Sequence, residues 1–542
     1  MLVLALLAVS PLLELDVVFS ADEGSNALQA RVLREGGWDA GYAFREADPS
    51  GRFVPWHAAS VTDAAVVPYA QHPLWSRALH VSTGIAGEQL GLRILSVLAL
   101  VAVAALGWAL AGELGGRRAG PWGFWMAAAS PVLANAWGVW AHAPSAALGG
   151  TAALGLLRVE RSRIWIAPVL LATTVGIALR SEALLWSLAL AASVAILGRG
   201  RSRWLGLAVA AVSGATLLLE RAWVRSIVPG TAVQSSIVGP SAPVVQDRAP
   251  GAGVPSRLSG LRTAVIDNAF GAEDVRLLGY VTLATMVLVV LVVMRRGSGR
   301  VVALSVAVVA LVSAGRLVMA LDEPVPGLLA AAPILILGLA WRPEADQRWI
   351  LGAVPLFVGA VAASIYTDGG GLQWGGRFLS PMVPLLAAAA AVAVARLLDA
   401  LPVVEGRPVA VAAALLLGVQ AAGAVMGPDR VREQSEAMLQ EVRSLDQAVV
   451  LAGTRHLGRF DVDRWPDACW LAMEGPPNLE VLEDLVDVLR RSGIGQAAFI
   501  GIEPSMLEEA GASVGVRLGD DLGVVWIEDS AADRSISAPY RC

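Results

Sequence analysis

Apolar and polar residues fall along this chain in long blocks. Apolar runs occupy roughly Leu90–Ala111, Pro121–Trp137, Pro144–Leu157, Ile164–Leu179, Ala183–Leu197, Trp204–Leu219, Leu277–Met294, Val301–Leu321, Val325–Trp341, Ile350–Ile365, Leu379–Val394 and Val409–Val425. With the opening run MLVLALLAVSPLLELDVVF they predict an all-α polytopic membrane protein of about thirteen transmembrane helices. Several runs fall short of the ~20 residues that cross a bilayer untilted. Their ends are therefore expected to shift by several residues, and one or two to be half-helices. The opening run lacks a positive n-region and carries Glu14 and Asp16, so it reads as the first membrane helix rather than a cleaved signal.

The polar blocks set the remaining organisation. Residues 20–89 form a long loop after the first helix. Residues 220–276 include GPSAPVVQDRAPGAGVPSR, whose Pro, Gly and Ser content suits an extended, mobile cover, a lid. After Met426 the period changes. A polar helix near Asp429–Leu445, a strand AVVLA, a helix Leu479–Arg491, a strand AAFIGI and a strand pair around GVRLGDDLGVVWIE predict a small α/β domain over 427–542, following a membrane domain over 1–426.

Arginine placement orients the chain, because short cytoplasmic loops retain positive charge. If the first helix runs outward, the inner turns hold Arg117, Arg118, Arg158, Arg161, Arg163, Arg199, Arg201, Arg203, Arg295, Arg296, Arg300, Arg342, Arg348, Arg396 and Arg407, against Arg180 and Arg377 in the short outer turns. That puts loops 20–89, 220–276 and 366–378, and everything beyond 426, on the extracytoplasmic side of a cell membrane.

Composition agrees. Of 542 residues 56% are hydrophobic and 16% charged, well under the roughly 25% charged of an ordinary globular protein, and the mean hydropathy is +0.62. The basic residues are all Arg, with the Ala, Gly and Val richness expected of a G+C-rich bacterial genome. A net charge of −5 with no basic stripe excludes nucleic acid as a partner. Neither Cys469 nor Cys542 has a ligand neighbour at zinc-site spacing, and two free thiols are expected over a disulfide.

The chemistry concentrates after the first helix, in FSADEGSNALQARVLREGGW. Ser20 followed three residues later by Glu23 is a capping box, which predicts a short surface helix. Asp22 then lies in its first turn, where the helix dipole favours an ionised carboxylate. Such a group at a membrane surface suits a general base for a sugar hydroxyl. Two acids that only cap the helix satisfy the same spacing.

Five motifs follow in order: Asp22-Glu23, His72-Pro73-Leu74, Arg93-Ile94-Leu95-Ser96, Gly116-Arg117-Arg118 and Ser130-Pro131. In this register the chain resembles the C superfamily (GT-C) of polyprenyl-phosphate-sugar-dependent glycosyltransferases. These include the dolichyl-phosphate-mannose protein mannosyltransferases, the lipid A aminoarabinose transferase and the lipopolysaccharide galacturonosyltransferases. The resemblance covers roughly residues 1–200 and departs from the pattern at Leu74, where the family has a second Pro, and at Gln71, where some relatives carry a Lys that meets donor phosphate.

The resemblance implies Asp22 as the catalytic carboxylate and Glu23 as its acidic partner, in acceptor or metal binding. It also implies that His72, Arg180 and Glu182 line the substrate site, Arg180-Ser181-Glu182 matching a family Arg-Pro-Glu turn. A packing role for His72 and a local ion pair for Arg180 and Glu182 stay open. His142, at another outer turn, either faces the same cleft or is a solvated interfacial residue, and the second is expected. With Gln71 in place of Lys, donor phosphate must meet arginine: Arg377, in the loop GGGLQWGGRFLSPMVP, Arg180, or Arg316, an intramembrane charge that snorkelling also explains. The implied activity is transfer of a monosaccharide from a polyprenyl phosphate carrier to a glycan, lipid or protein acceptor. No P-loop or dinucleotide fingerprint is present, and a divalent metal stays open. A transporter of lipid-linked glycans would place its polar groups near the midplane, whereas here they gather at the outer ends. A non-catalytic scaffold of the same fold is the other alternative.

Overall fold

The computed structural model describes residues 20–56, 59–62, 65–228, 254–266, 273–295, 298–319, 327–364, 376–444, 449–453, 469–473, 479–501, 516–518 and 524–527. The opening apolar run lies outside them, as do residues 229–253 of the expected lid.

The helix announced by the capping box is α1 (Ala21–Arg34), and the Ser20 hydroxyl accepts from the Glu23 amide at 3.4 Å. It is not a surface helix. Glu23, Ser25, Asn26, Ala27, Leu28 and Gln29 are all buried. After a two-stranded ribbon (β1, Ser60–Val61; β2, Val66–Val67), α2 (Pro73–Ala86) begins with Pro at its first position, where the missing amide is not needed.

The expected apolar runs then appear in order. They are α3 (Glu88–Gly115), α4 (Ala119–Ala128) with the short α5 (Val132–Ala136), α6 (His142–Arg158), α7 (Ile166–Leu179), α8 (Ser181–Leu197) and α9 (Gly200–Ile227). After α10 (Val254–Val265) come α11 (Glu273–Met294), α12 (Gly299–Met319), the short α13 (Leu328–Ala331) running into a 3-10 stretch Pro333–Ala340, α14 (Trp349–Ala363), α15 (Val383–Ala400) and α16 (Val403–Ser444). Among the described residues six helical spans are long and apolar enough to cross a membrane, with three shorter apolar ones beside them. The chain is a multi-pass helical membrane protein.

α15 is the axis of the bundle. Its run of Ala residues is buried nearly all round and packs against α3, α4, α6 and the 333–340 stretch. Small side chains let backbones approach closely, which is how helices associate where lipid removes the hydrophobic drive between them. α3 and α4 cross at Gly107 and Gly123, where a Cβ on either glycine would strike the other's carbonyl oxygen. Leu171, Leu218, Leu219, Leu304 and Leu311 face outward, as lipid-facing residues do.

Two departures from expectation concern the polar segments. α9 continues to Ile227, so residues 220–227 are helix rather than loop, and Val254–Val265 is a helix inside the segment read as an extended cover. The polar helix expected after Met426 is the continuation of α16, unbroken from Val403 to Ser444.

Beyond α16 the described residues form an α/β unit: β3 (Val449–Ala452), β4 (Cys469–Ala472), α17 (Leu479–Arg491), β5 (Gln496–Ile500), β6 (Val516–Leu518) and β7 (Val524–Ile527). The sheet order is β4-β3-β5-β7-β6, parallel across the first three strands and antiparallel thereafter. Strand β4 was not expected. Cys469 at its start is disulfide-bonded, which corrects the expectation of free thiols; the chain's other cysteine, Cys542, lies outside the described residues. Phe44 and Phe53 of the first long loop enter this unit's core beside Leu451, Leu471 and Leu485. The Phe53 carbonyl accepts from the Ala472 amide at 2.8 Å on the edge strand, and Arg52 pairs with Asp484. The α/β unit therefore lies on the same side as the first loop.

Candidate active site

Three helices show how the site is placed. α3 carries Arg93 near one end and Glu113 near the other, where Glu113 binds Arg158 at 2.7 Å and Arg161 at 2.5 Å. α9 begins in the arginine-rich turn at Arg201 and carries Glu220 in its far part, two turns before its end at Ile227. The span Arg377–Ala400 starts at Arg377 and ends by Asp399, which pairs with Arg118. The arginine-rich turns thus meet one another at one end of the bundle, and the candidate residues meet at the opposite end.

Asp22 and Arg377 come together there. Asp22 Oδ2 lies 3.6 Å from Arg377 Nη1, the aspartate side chain 29% exposed and the arginine 11%. The Arg377 guanidinium also sits over the rings of Phe378 (4.7 Å to the centroid) and Trp140 (5.8 Å). Local backbone geometry presents it. Gly376 adopts φ +60°, which only glycine takes without strain, and its missing side chain makes room for the Ala264 carbonyl at the end of α10. The 3-10 turn Arg377–Met382 then leads into α15.

Arg180 and Glu182 form the bidentate ion pair weighed from sequence, Nε to Oε2 at 3.0 Å and Nη2 to Oε1 at 2.7 Å, both side chains buried. The carboxylate lies 3.8 Å from His142 Nδ1. His142 corrects its expectation. It is buried, edge-on to Trp140 (5.7 Å between centroids) and near Phe378 (6.4 Å), rather than solvated.

His72 is buried and its Nδ1 meets Glu220 Oε1 at 2.9 Å. Glu220 is a residue sequence reasoning passed over, because it fell at the start of an expected loop. Tyr69, three residues before His72, is likewise unmarked by any motif. Its ring is buried and its backbone amide donates to Gln29 Oε1 at 3.2 Å. Burial pushes its phenol up to about 12; Asp22 reinforces this and Arg180 opposes it, so both carboxylate and guanidinium act on this hydroxyl.

Arg316 is buried near the end of α12. A Cβ at Gly279 would lie in ordinary contact with its guanidinium at 3.5 Å and with the Ile266 carbonyl at 3.6 Å. It sits at the α10 terminus.

The two acids of the first motif have different partners. Glu23 is fully buried, and its Oε1 accepts from the Val139 amide at 2.5 Å. Among the described residues no group of three or more His, Cys, Asp or Glu side chains could hold a metal ion.

Two solved structures share the fold of this chain at low sequence identity. The crystal structure of ArnT from Cupriavidus metallidurans in the apo state matches with a TM-score of 0.53 at 13% identity, over 96% of this chain and 97% of that one. ArnT from the same organism bound to undecaprenyl phosphate matches with a TM-score of 0.51 at 14% identity, over 95% and 94%. No family model matches the sequence, and no curated protein matches it.

Proposed function

We propose that this protein transfers a monosaccharide from a polyprenyl-phosphate-linked donor to an acceptor hydroxyl on the extracytoplasmic face of the cell membrane, with inversion at the anomeric carbon. The observation that carries the reading is the meeting of Asp22 and Arg377 at 3.6 Å, at the end of the bundle opposite the arginine-rich turns. It joins a carboxylate to a guanidinium where a lipid phosphate would arrive from the membrane. ArnT, which shares the fold, has been solved bound to undecaprenyl phosphate.

Asp22 takes the proton of the acceptor hydroxyl as the oxygen attacks the anomeric carbon. The bond from that carbon to the phosphate oxygen breaks, and the polyprenyl phosphate leaves with one more negative charge. Arg377 faces that developing charge, and a planar guanidinium can hold two phosphate oxygens at once. Before donor binds, the same guanidinium neutralises Asp22. Donor phosphate draws it away and leaves the carboxylate able to act as base. Arg180, bound at two points to Glu182, is a secondary cation. His72, Tyr69 and His142 complete the polar lining, with Trp140 and Phe378 as its aromatic wall. The C-terminal α/β unit, docked on the first loop, lies on the extracytoplasmic side and has an acceptor-facing or partner-facing role.

The test is transfer by the purified protein from a panel of synthetic polyprenyl phosphate sugars to an envelope lipid or glycan extract. Appearance of free polyprenyl phosphate together with a glycosylated product supports the reading. Movement of intact lipid-linked sugar from one leaflet to the other of a reconstituted vesicle, without bond cleavage, overturns it in favour of a transporter.

A further inference from the structure

Residues 137–140 connect α5 to α6 without regular structure, yet they are held from four directions. Arg93 Nε donates to the Trp137 carbonyl at 3.0 Å, Trp75 Nε1 to the Val139 carbonyl at 3.0 Å and the Ser96 hydroxyl to the Trp140 carbonyl at 2.8 Å, while Glu23 accepts from the Val139 amide. All four residues are buried. The segment carries Trp140, whose ring lies against both Arg377 and His142. Gly138 is fitted to the same contact, since a Cβ there would meet Glu23 Oε1 at 2.5 Å.

We propose that Glu23 is a positioning residue rather than a catalytic acid, base or ligand: it ties the Asp22-bearing helix to the 137–140 strap and so fixes Asp22, Trp140 and Arg377 relative to one another. The inference rests on the transferase reading. The physical grounds are chemical. A carboxylate withdrawn from water must be met by donors, and Glu23 meets one on the strap. Asp22 is the preceding residue in the same helical turn, so any shift of the Glu23 anchor is transmitted to the carboxylate beside it. The motif pair Asp-Glu then divides its labour, with one acid facing the cleft and one facing the scaffold. The motif Arg93-Ile94-Leu95-Ser96 acquires the same meaning, because both its polar members hold strap carbonyls.

The tests are Glu23→Gln, Glu23→Ala, Ser96→Ala and the Glu23→Ala/Ser96→Ala double variant, each followed by transfer with donor and acceptor titrated separately and by amide hydrogen exchange across residues 137–141. A glutamine oxygen can still accept from Val139, so Glu23→Gln is expected to keep at least about a tenth of the wild-type rate. Glu23→Ala should lose ~10²-fold, the scale of a misplacement near an ångström, with donor KM raised along with the fall in kcat, and faster exchange at Val139. Because Glu23 and Ser96 hold one strap, the double variant should lose no more than the worse single one, as coupled residues do. Glu23→Gln as inactive as Glu23→Ala, or losses that multiply, overturn the inference, as does unchanged exchange at Val139. If wild-type protein transfers from no donor, the transferase reading fails separately, and exchange at Val139 still decides whether Glu23 holds the strap.

Discussion

Asp22 Oδ2 and Arg377 Nη1 stand 3.6 Å apart, close enough for charge attraction and longer than the 2.7–3.2 Å of a formed N–H···O bond. One end of this pair comes from the first turn after the opening helix and the other from the entry to the bundle's axis. The contact is partly open to solvent, which suits a pair that exchanges partners when an anion arrives.

That exchange predicts a particular kinetic signature for Arg377. Arg377→Ala is expected to raise donor KM sharply and leave the acceptor dependence near wild type, and Arg377→Lys to restore part of the loss, since charge returns without the planar fork. Titration of each substrate at saturation of the other measures this. A defect confined to the acceptor moves the phosphate contact to Arg180 or Arg316.

Backbone geometry beside Arg377 gives a second expectation. Gly376→Ala places a Cβ against the Ala264 carbonyl at a φ of +60°. A non-glycine residue in that region costs of order 1–3 kcal/mol, and relief requires the turn or the end of α10 to move. Thermal unfolding in detergent should show a lower Tm, with donor KM raised by the displaced guanidinium. An alanine variant with unchanged Tm and donor dependence contradicts the close contact.

Alkaline pH probes Tyr69. Burial raises its phenol from 10 to about 12 in the folded protein. Above pH 10 the unfolded chain loses this proton before the folded one does, so the stability tied to the neutral buried phenol is complete below pH 10 and is lost as pH rises through about 12. Tyr69→Phe should therefore flatten the fall in stability across that window. Parallel pH–stability curves for the two proteins place the phenol in water instead.

Hydrophobic period was enough to find the membrane helices, because a buried or lipid-facing helix is apolar on every side and leaves a long unbroken run. It was also enough for α17, whose period is strong. Pairings across the bundle are a different matter. His142 and Glu220 carry no local signal, since a buried histidine and a solvated one share the same neighbours in sequence, and Glu220 sat at the edge of an apolar run that the helix overshoots by two turns. The motifs marked the right places but not the division of roles: Glu23 and Asp22 are adjacent letters, and only their partners, Val139 and Arg377, separate them.

The side of the membrane is open to a direct check. The arginine asymmetry and the docking of the α/β unit on the first loop together predict that residues beyond 444 lie outside the cytoplasm. Alkaline phosphatase fused in this region should be active and a cytoplasm-only fluorescent reporter dark. The opposite pattern inverts the topology and removes the site from the face where the donor sugar is proposed to be used.

The most direct measurement of the central claim is transfer by Asp22→Asn from the polyprenyl phosphate sugar that wild-type protein uses, with donor binding and Tm recorded on the same preparation. Loss of a general base costs typically 10²–10⁴-fold in rate, while loss of a helix-terminal charge costs about 0.3–1 kcal/mol of stability. The account predicts a variant that folds, binds donor and does not turn it over. A variant that retains more than about a tenth of the wild-type rate contradicts Asp22 as the base and leaves it as a charge at the start of its helix.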